Sequence, residues 1–98
     1  MGGDPRAAVV RTLLRLRRDK SYSNLLLDDL LSRGDIAPKD QAFVSRLFYG
    51  VLEREITLDY VLSRCSSLPL RRCHPVVLEI LRVGGYQLLF MDKVPPSA

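Results

Sequence analysis

The chain has 98 residues, of which 47% are hydrophobic and 27% are charged. This length fits one small domain, and this composition excludes a disordered, collagen-like or low-complexity chain. Lysine and arginine number 15 against 11 aspartate and glutamate residues, so the net charge of +4 favours an anionic partner. Because one small core uses the whole length, we do not expect a complete enzyme built on a large sheet.

A first helix is predicted from Asp4, a suitable N-cap, and Pro5, a suitable first helical residue. Its apolar pattern ends at residues 19–21. On a wheel of about 100° per residue, three arginines fall opposite the apolar side: Arg11, Arg15 and Arg18. Arg6 and Lys20 extend this basic face at its two ends.

A second helix is predicted to start near Ser23, with Ser21 or Ser23 as its cap, and to stop before Gly34. A third is predicted to open at Pro38 and has the strongest periodicity of the chain. Its apolar residues follow the i, i+3, i+4, i+7 spacing of a helix with one buried face: Phe43, Val44, Leu47, Phe48, Val51 and Leu52.

Two further helices complete the pattern. Thr57 is the expected cap of a fourth helix, which weakens at residues 66–67. A fifth opens at Pro75 and closes at residues 92–96; it is apolar on nearly all sides, so we expect it to be the most buried helix. The glycine pair 84–85 inside it predicts a close helix approach. Since no segment alternates with a period of two, the fold class is predicted as all-α with five helices.

Three residues are candidates for metal or nucleophile chemistry: Cys65, Cys73 and His74. A structural zinc site takes four ligands, usually in close pairs, so no metal site is expected. The two cysteines are expected to pack as small apolar side chains. No phosphate-binding loop or nucleophile elbow is present, and no catalytic residue is predicted.

No signal peptide leads the chain, and no apolar run approaches the roughly 20 residues that cross a bilayer. We therefore expect a cytoplasmic protein with reduced cysteines and no membrane partner. The carboxylate pairs at 28–29 and at Glu53 with Glu55 are expected on helix surfaces or ends.

The basic first helix favours nucleic acid. Three arginines on successive turns form a ridge that can follow a phosphate backbone, and Tyr22, just after Lys20, is well placed for base stacking. The RNA-contact residues are therefore predicted as Arg6, Arg11, Arg15, Arg18 and Lys20. An ordinary solvated helix face remains the alternative on charge alone.

Longer strings carry a family resemblance. Residues 40–43 (Asp-x-x-Phe), 47–52 (Leu-Phe-Tyr-Gly-Val-Leu), 58–59 (Leu-Asp) and 80–96 strongly resemble the NusB-like domain. The resemblance implies an RNA-binding helical bundle. It also implies structural roles for three residues, two at helix crossings and one in a local cap or pair: Gly50, Gly84 and Asp59.

Residues 21–25, Ser-Tyr-Ser-Asn-Leu, resemble the N-terminal domain of RsmB/Sun-type ribosomal RNA cytosine-C5 methyltransferases. The resemblance covers residues 6–98 and implies a single, partial domain over 1–98. Domains of this family continue past Pro95-Pro96, so a truncated bundle is expected. The resemblance places S-adenosylmethionine and the catalytic cysteines in a separate C-terminal domain, so no cofactor is expected in this chain.

The sequence therefore predicts an RNA-binding domain that positions ribosomal RNA for a catalytic domain of the same protein. The partners are then RNA and that catalytic domain. Two alternatives stay open: a NusB-type transcription antitermination factor, and a helical protein-interaction module.

Overall fold

The computed structural model describes residues 4–91. Its five α-helices are α1 (Pro5–Asp19), α2 (Ser23–Ser32), α3 (Gln41–Glu53), α4 (Glu55–Cys65) and α5 (Pro75–Tyr86). Short 3-10 turns at Pro38–Asp40 and Leu70–Arg72 precede α3 and α5, and a π-helical segment, Gln87–Met91, continues α5. Within this part of the chain there is no strand, and the predicted all-α fold with five helices is confirmed. The predicted close of the fifth helix at 92–96, and the expected truncation at residue 98, lie outside the described residues.

Local side chains explain where several helices begin and end. Asp4 Oδ1 accepts the Arg6 N–H at 3.0 Å, as expected of an N-cap. His74 Nδ1 accepts the Val76 N–H at 3.2 Å and caps α5 in the same way. Gly34 follows α2 with φ +80°, a conformation that costs glycine little. These boundaries agree with the sequence pattern.

Two predicted starts are wrong by a few residues. Pro38 opens a 3-10 turn rather than α3, which begins at Gln41. Thr57 lies in the first turn of α4, which begins at Glu55 directly after Arg54. Arg54 joins α3 to α4 without a loop, so the fourth helix needs no side-chain cap at Thr57.

The core is built around α1, which contacts α2, α3 and α5. Its buried residues come from all five helices and include Val9, Leu13, Leu27, Val44, Leu47, Phe48, Val51, Leu58 and Val83. The strong periodicity of the third helix is thus confirmed as a core-facing stripe. Residues on the opposite side of α1 are free to face solvent.

The expectation that α5 is the most buried helix is wrong. Val77, Ile80 and Leu81 are exposed, and so is Leu88 in the π-helical segment. Two charged residues of α5 are buried instead, Glu79 and Arg82. The reason is that α1, α3 and α4 pack on one side of α5 only, and that side carries the ionic side chains.

Three glycines inside helices differ in how closely other residues pack against them. A Cβ on Gly50 would overlap the Tyr86 ring, so the predicted helix crossing at Gly50 is confirmed. Among residues 4–91, a Cβ on Gly84 meets nothing within 4 Å, so none of the described helices makes the predicted close approach there. Gly85 lies against Leu58 at an ordinary contact distance of 3.5 Å. Gly84 instead lies on the open side of α5.

Candidate nucleic-acid interface

The predicted basic face of α1 is exposed. Arg11, Arg15 and Arg18, hereafter the α1 ridge, lie opposite the buried residues of the same helix. All three line one cleft of about 610 Å³, together with Leu14 and Pro75. The structure therefore brings the three arginines together on a solvent-facing surface beside the start of α5. Their contact with RNA stays a prediction.

Two ridge arginines are paired with carboxylates. Arg18 Nε donates to Asp19 Oδ1 at 2.8 Å. Arg15 donates to Asp29 Oδ2 on α2 at 3.2 Å and lies 3.6 Å from Asp19. Arg11 forms no ion pair within residues 4–91. The positive charge of the ridge is thus partly balanced within the fold.

These pairs change the acidity of the carboxylates. The hydrogen bond from Arg18 lowers the pKa of Asp19. The pKa of Asp29 is lowered by the hydrogen bond from Arg33 and then by that from Arg15. Both carboxylates are therefore ionised at neutral pH, where they balance the arginines. Any phosphate that binds the ridge competes with them.

The two ends of the predicted basic face differ. Lys20 is exposed and follows α1 with φ 52°, so it continues the ridge into the turn before α2. Tyr22 lies two residues further and is 77% exposed. Arg6, at the other end, donates to the Gln87 side chain at 3.2 Å and lies over the Phe43 ring at 5.2 Å. Arg6 is thus engaged with α3 and the π-helical segment; it lies outside the cleft that holds all three ridge arginines, but it lines a neighbouring cavity together with Arg11 and Leu14.

Behind the ridge lies a partly buried cluster of charged residues, hereafter the ion network: Arg17, Glu55, Asp59, Glu79 and Arg82. Arg17 pairs with Glu55 at 2.6 Å and with Glu79 at 3.1 Å. Arg82 pairs with Glu79 at 2.9 Å and with both oxygens of Asp59 at 2.8 Å. Glu79 is only 3% exposed. The network joins α1, α4 and α5 and fixes the helix that carries the ridge.

The family comparison decides the identity of the fold. The NusB family matches the chain over residues 4–98. The chain belongs to the NusB family.

Relatives of this NusB-family chain are methyltransferases by name. The probable ribosomal RNA small subunit methyltransferase B of Bacillus subtilis is 30% identical over 93 residues, and that of Synechocystis sp. is 37% identical over 82. The ribosomal RNA small subunit methyltransferase B of Thermus thermophilus is 37% identical over 91 residues. The alignments cover 95%, 84% and 89% of this chain and 21%, 18% and 21% of the relatives.

The chain therefore spans about a fifth of the length of these relatives. The resemblance to the NusB-like domain of RsmB/Sun-type methyltransferases, which the sequence indicates, is confirmed by these matches. No solved structure matches the chain.

Sequence reasoning missed the ion network of this NusB-family domain. A local cap or pair was expected for Asp59, but its partner Arg82 lies 23 residues away. The available signal was the pair Glu79 and Arg82, spaced i, i+3 in an otherwise apolar helix. Arg17 gave a second signal, since it lies nearer the apolar side of α1 than the ridge does.

The remaining candidates have local roles. Cys65 is exposed and Cys73 is half-buried, and both are free thiols. His74 is the cap of α5. Between Asp4 and Met91, no three His, Cys, Asp or Glu side chains are close enough to hold a metal ion together. None of the described helices is both long and apolar enough to cross a membrane.

Proposed function

We propose that this chain is the RNA-binding domain of a ribosomal RNA cytosine-C5 methyltransferase. It holds ribosomal RNA for a catalytic domain of the same protein. The observation that carries the proposal is the α1 ridge, an exposed row of arginines on the helix whose other face forms the core. The names of the relatives supply the RNA class, since they are ribosomal RNA small subunit methyltransferases.

The ion pairs of the ridge are compatible with this role. Arg15, Arg18 and their partner carboxylates are at least one third exposed, and exposed pairs contribute little to stability. A backbone phosphate carries the same single negative charge as a carboxylate and offers each guanidinium two oxygens for a bidentate pair. RNA therefore displaces Asp19 and Asp29 at small cost, while folded protein without RNA keeps its arginines ordered.

Single-stranded RNA fits the surface better than a duplex. The ridge continues through Lys20 to the exposed ring of Tyr22. Basic side chains that follow a backbone, next to an aromatic ring on which a base stacks, are typical of single-strand binding. In a duplex the faces of the bases are stacked on one another, so Tyr22 finds no free base on which to stack.

Catalysis belongs elsewhere in this proposal. Between residues 4 and 91 there is no strand, so this part of the chain has no strand-to-helix turn of the kind that holds a nucleotide cofactor. We assign S-adenosylmethionine binding and methyl transfer to the catalytic domain and place the protein in the cytoplasm with its RNA. The methyltransferase names of the relatives favour this function over antitermination.

The test is binding of the chain to a small-subunit ribosomal RNA fragment across a salt series. The ridge variant is Arg11→Gln/Arg18→Gln, which leaves Arg15 in its pair with Asp29. The matched control is Lys39→Gln/Arg46→Gln, with the same change in charge on exposed residues of the turn before α3 and of α3 itself. Circular dichroism verifies that both variants remain helical.

We expect the ridge variant to lose about 0.7 per contact, so about 1.4 in total, from the slope of log affinity against log salt. The control keeps the parental slope. Equal binding by the ridge variant and the control would show that the ridge does not contact RNA. A parent chain that does not bind RNA would overturn the proposed function.

A further inference from the structure

A second basic surface lies on and after α4. It consists of Tyr60, Arg64, Arg71 and Arg72, hereafter the α4 patch. All four side chains are exposed. Arg71 and Arg72 lie on the 3-10 turn Leu70–Arg72, which packs against α4. The turn that carries Arg71 and Arg72 therefore packs on the helix that carries Tyr60 and Arg64.

The charge of the α4 patch is not balanced locally. The sequence from Tyr60 to His74 contains three arginines and no acidic residue. Within residues 4–91, Arg64, Arg71 and Arg72 form no ion pair. The carboxylate of Asp59, just before this stretch, is already paired with Arg82. The α4 patch thus presents three arginines to an anion with no competing carboxylate, unlike the α1 ridge.

The patch also offers an aromatic surface. Tyr60 is 62% exposed. The Arg64 guanidinium lies 5.8 Å from the centre of the Tyr60 ring and donates to the Tyr60 hydroxyl at 3.4 Å. This pairing orders both side chains without a carboxylate. An exposed ring beside free guanidinium groups is the combination that binds a base and its phosphates in a single strand.

The turn of the patch lies a short distance along the chain from the cleft of the ridge. Pro75 lines the same cleft as Arg11 and Arg18. Only Cys73 and His74 separate Arg72 from Pro75, and three residue steps span at most about 11 Å. A single RNA strand crosses that distance within a few nucleotides.

We propose that the α4 patch is a second RNA contact, which binds the same single strand after it leaves the α1 ridge. This inference rests on the proposed function, because it needs RNA on the ridge. The strand passes from Arg11 and Arg18, across the start of α5, to Arg71 and Arg72. A base next to these phosphates stacks near Tyr60.

The experiment uses the whole chain and a labelled, unstructured single-stranded RNA of about 15 nucleotides. The patch variant is Arg71→Gln/Arg72→Gln, and the control is Lys39→Gln/Arg46→Gln, with the same net charge. Tyr60→Leu tests stacking without any change in charge. The ridge variant Arg11→Gln/Arg18→Gln is measured in parallel, and all variants are checked for helicity by circular dichroism.

We expect the patch variant to bind roughly tenfold more weakly than the control at low salt, and its salt slope to fall by about 1.4. Tyr60→Leu weakens binding without a change in slope. If the patch variant matches the control while the ridge variant is impaired, the inference is overturned and the proposed function stands. If the parent does not bind the RNA, both fail.

Discussion

Arg82 donates two parallel hydrogen bonds to the Asp59 carboxylate, one from Nε and one from a terminal nitrogen, and each is 2.8 Å long. Burial disfavours the charged form of Arg82, but the hydrogen bonds that it donates to Asp59 and the charges of Glu79 and Asp59 outweigh this effect and raise the pKa of Arg82. The guanidinium is therefore charged throughout the physiological range. It holds α5 against α4 through Asp59, and it also pairs with Glu79 on its own helix.

Removal of this guanidinium is expected to destabilise the fold. In Arg82→Met, Glu79 stays buried with only Arg17 as partner, and Asp59 loses its partner. Breaking a buried pair from one side costs about 3 kcal/mol of unfolding free energy. Urea denaturation measures the loss, and Arg46→Met on the exposed side of α3 is the control, expected within about 0.5 kcal/mol of the parent. An unchanged midpoint in Arg82→Met would contradict a stabilising role for the network.

The two glycine substitutions Gly50→Ala and Gly84→Ala are expected to act in opposite directions. A Cβ on Gly50 overlaps the buried Tyr86 ring, so the substitution should cost about 1–3 kcal/mol. Gly84 lies inside a helix, and a Cβ there meets no atom of the described part of the chain within 4 Å, so alanine should stabilise by up to about 1 kcal/mol. Thermal unfolding of both variants measures the difference. A loss of stability in Gly84→Ala would show that the open side of α5 is occupied.

Lys20 carries strain that glycine would relieve. Its φ of 52° lies in the left-handed region, which costs a residue with a side chain about 1 kcal/mol. Lys20→Gly is therefore expected to raise the melting temperature, while it weakens RNA binding through the lost charge. Lys20→Ala keeps the strain and should lose only the binding. Equal melting temperatures for the two variants would contradict this account.

Asp29→Asn is expected to strengthen RNA binding. It releases Arg15 on the ridge and Arg33 on the end of α2 from the same carboxylate. We estimate a two- to fivefold rise in affinity, of the order of one phosphate contact at moderate salt. Asp28→Asn makes the same change in charge at an exposed neighbour with no ion pair within residues 4–91. Equal gains in the two variants would attribute the effect to net charge alone.

Acid should remove the contribution of the same carboxylate to stability. The folded pKa of Asp29 lies below its unfolded value of about 3.9, so the stabilisation is fully present above that value. As the pH falls through the folded pKa, both states bind the proton and the stabilisation disappears. Urea denaturation between about pH 2 and 6 should show a gap between parent and Asp29→Asn that closes in acid. A gap that does not depend on pH would exclude the ion pair as its cause.

The sequence predicts the five helices well because their signals are local. Asp4, Pro5 and Pro75 mark the starts of α1 and α5, and each acts within one helical turn. The apolar stripe of α3 is likewise read from neighbours in the chain. Thr57 is not the cap of α4 because α3 continues directly into α4 at Arg54. No local sequence pattern indicates that the loop between these two helices is absent.

The candidate site is predicted only in part, for a physical reason. Helical periodicity places Arg11, Arg15 and Arg18 on one face of α1, as the structure shows. It does not show that Asp29, on another helix, neutralises Arg15. The partner of Arg82 and the exposure of Ile80 depend in the same way on which helices pack on α5. Such contacts join residues distant in the chain and leave no periodic trace.

The ridge and the centre of the core lie on the same 15-residue helix, α1. Any RNA that binds Arg11, Arg15 and Arg18 binds only while Val9 and Leu13 are packed. Binding and folding are then thermodynamically linked, and RNA shifts the folding equilibrium by mass action. A core substitution can therefore weaken the apparent affinity for RNA although every surface charge stays in place. This happens once the substitution lowers the fraction of folded protein enough to limit binding.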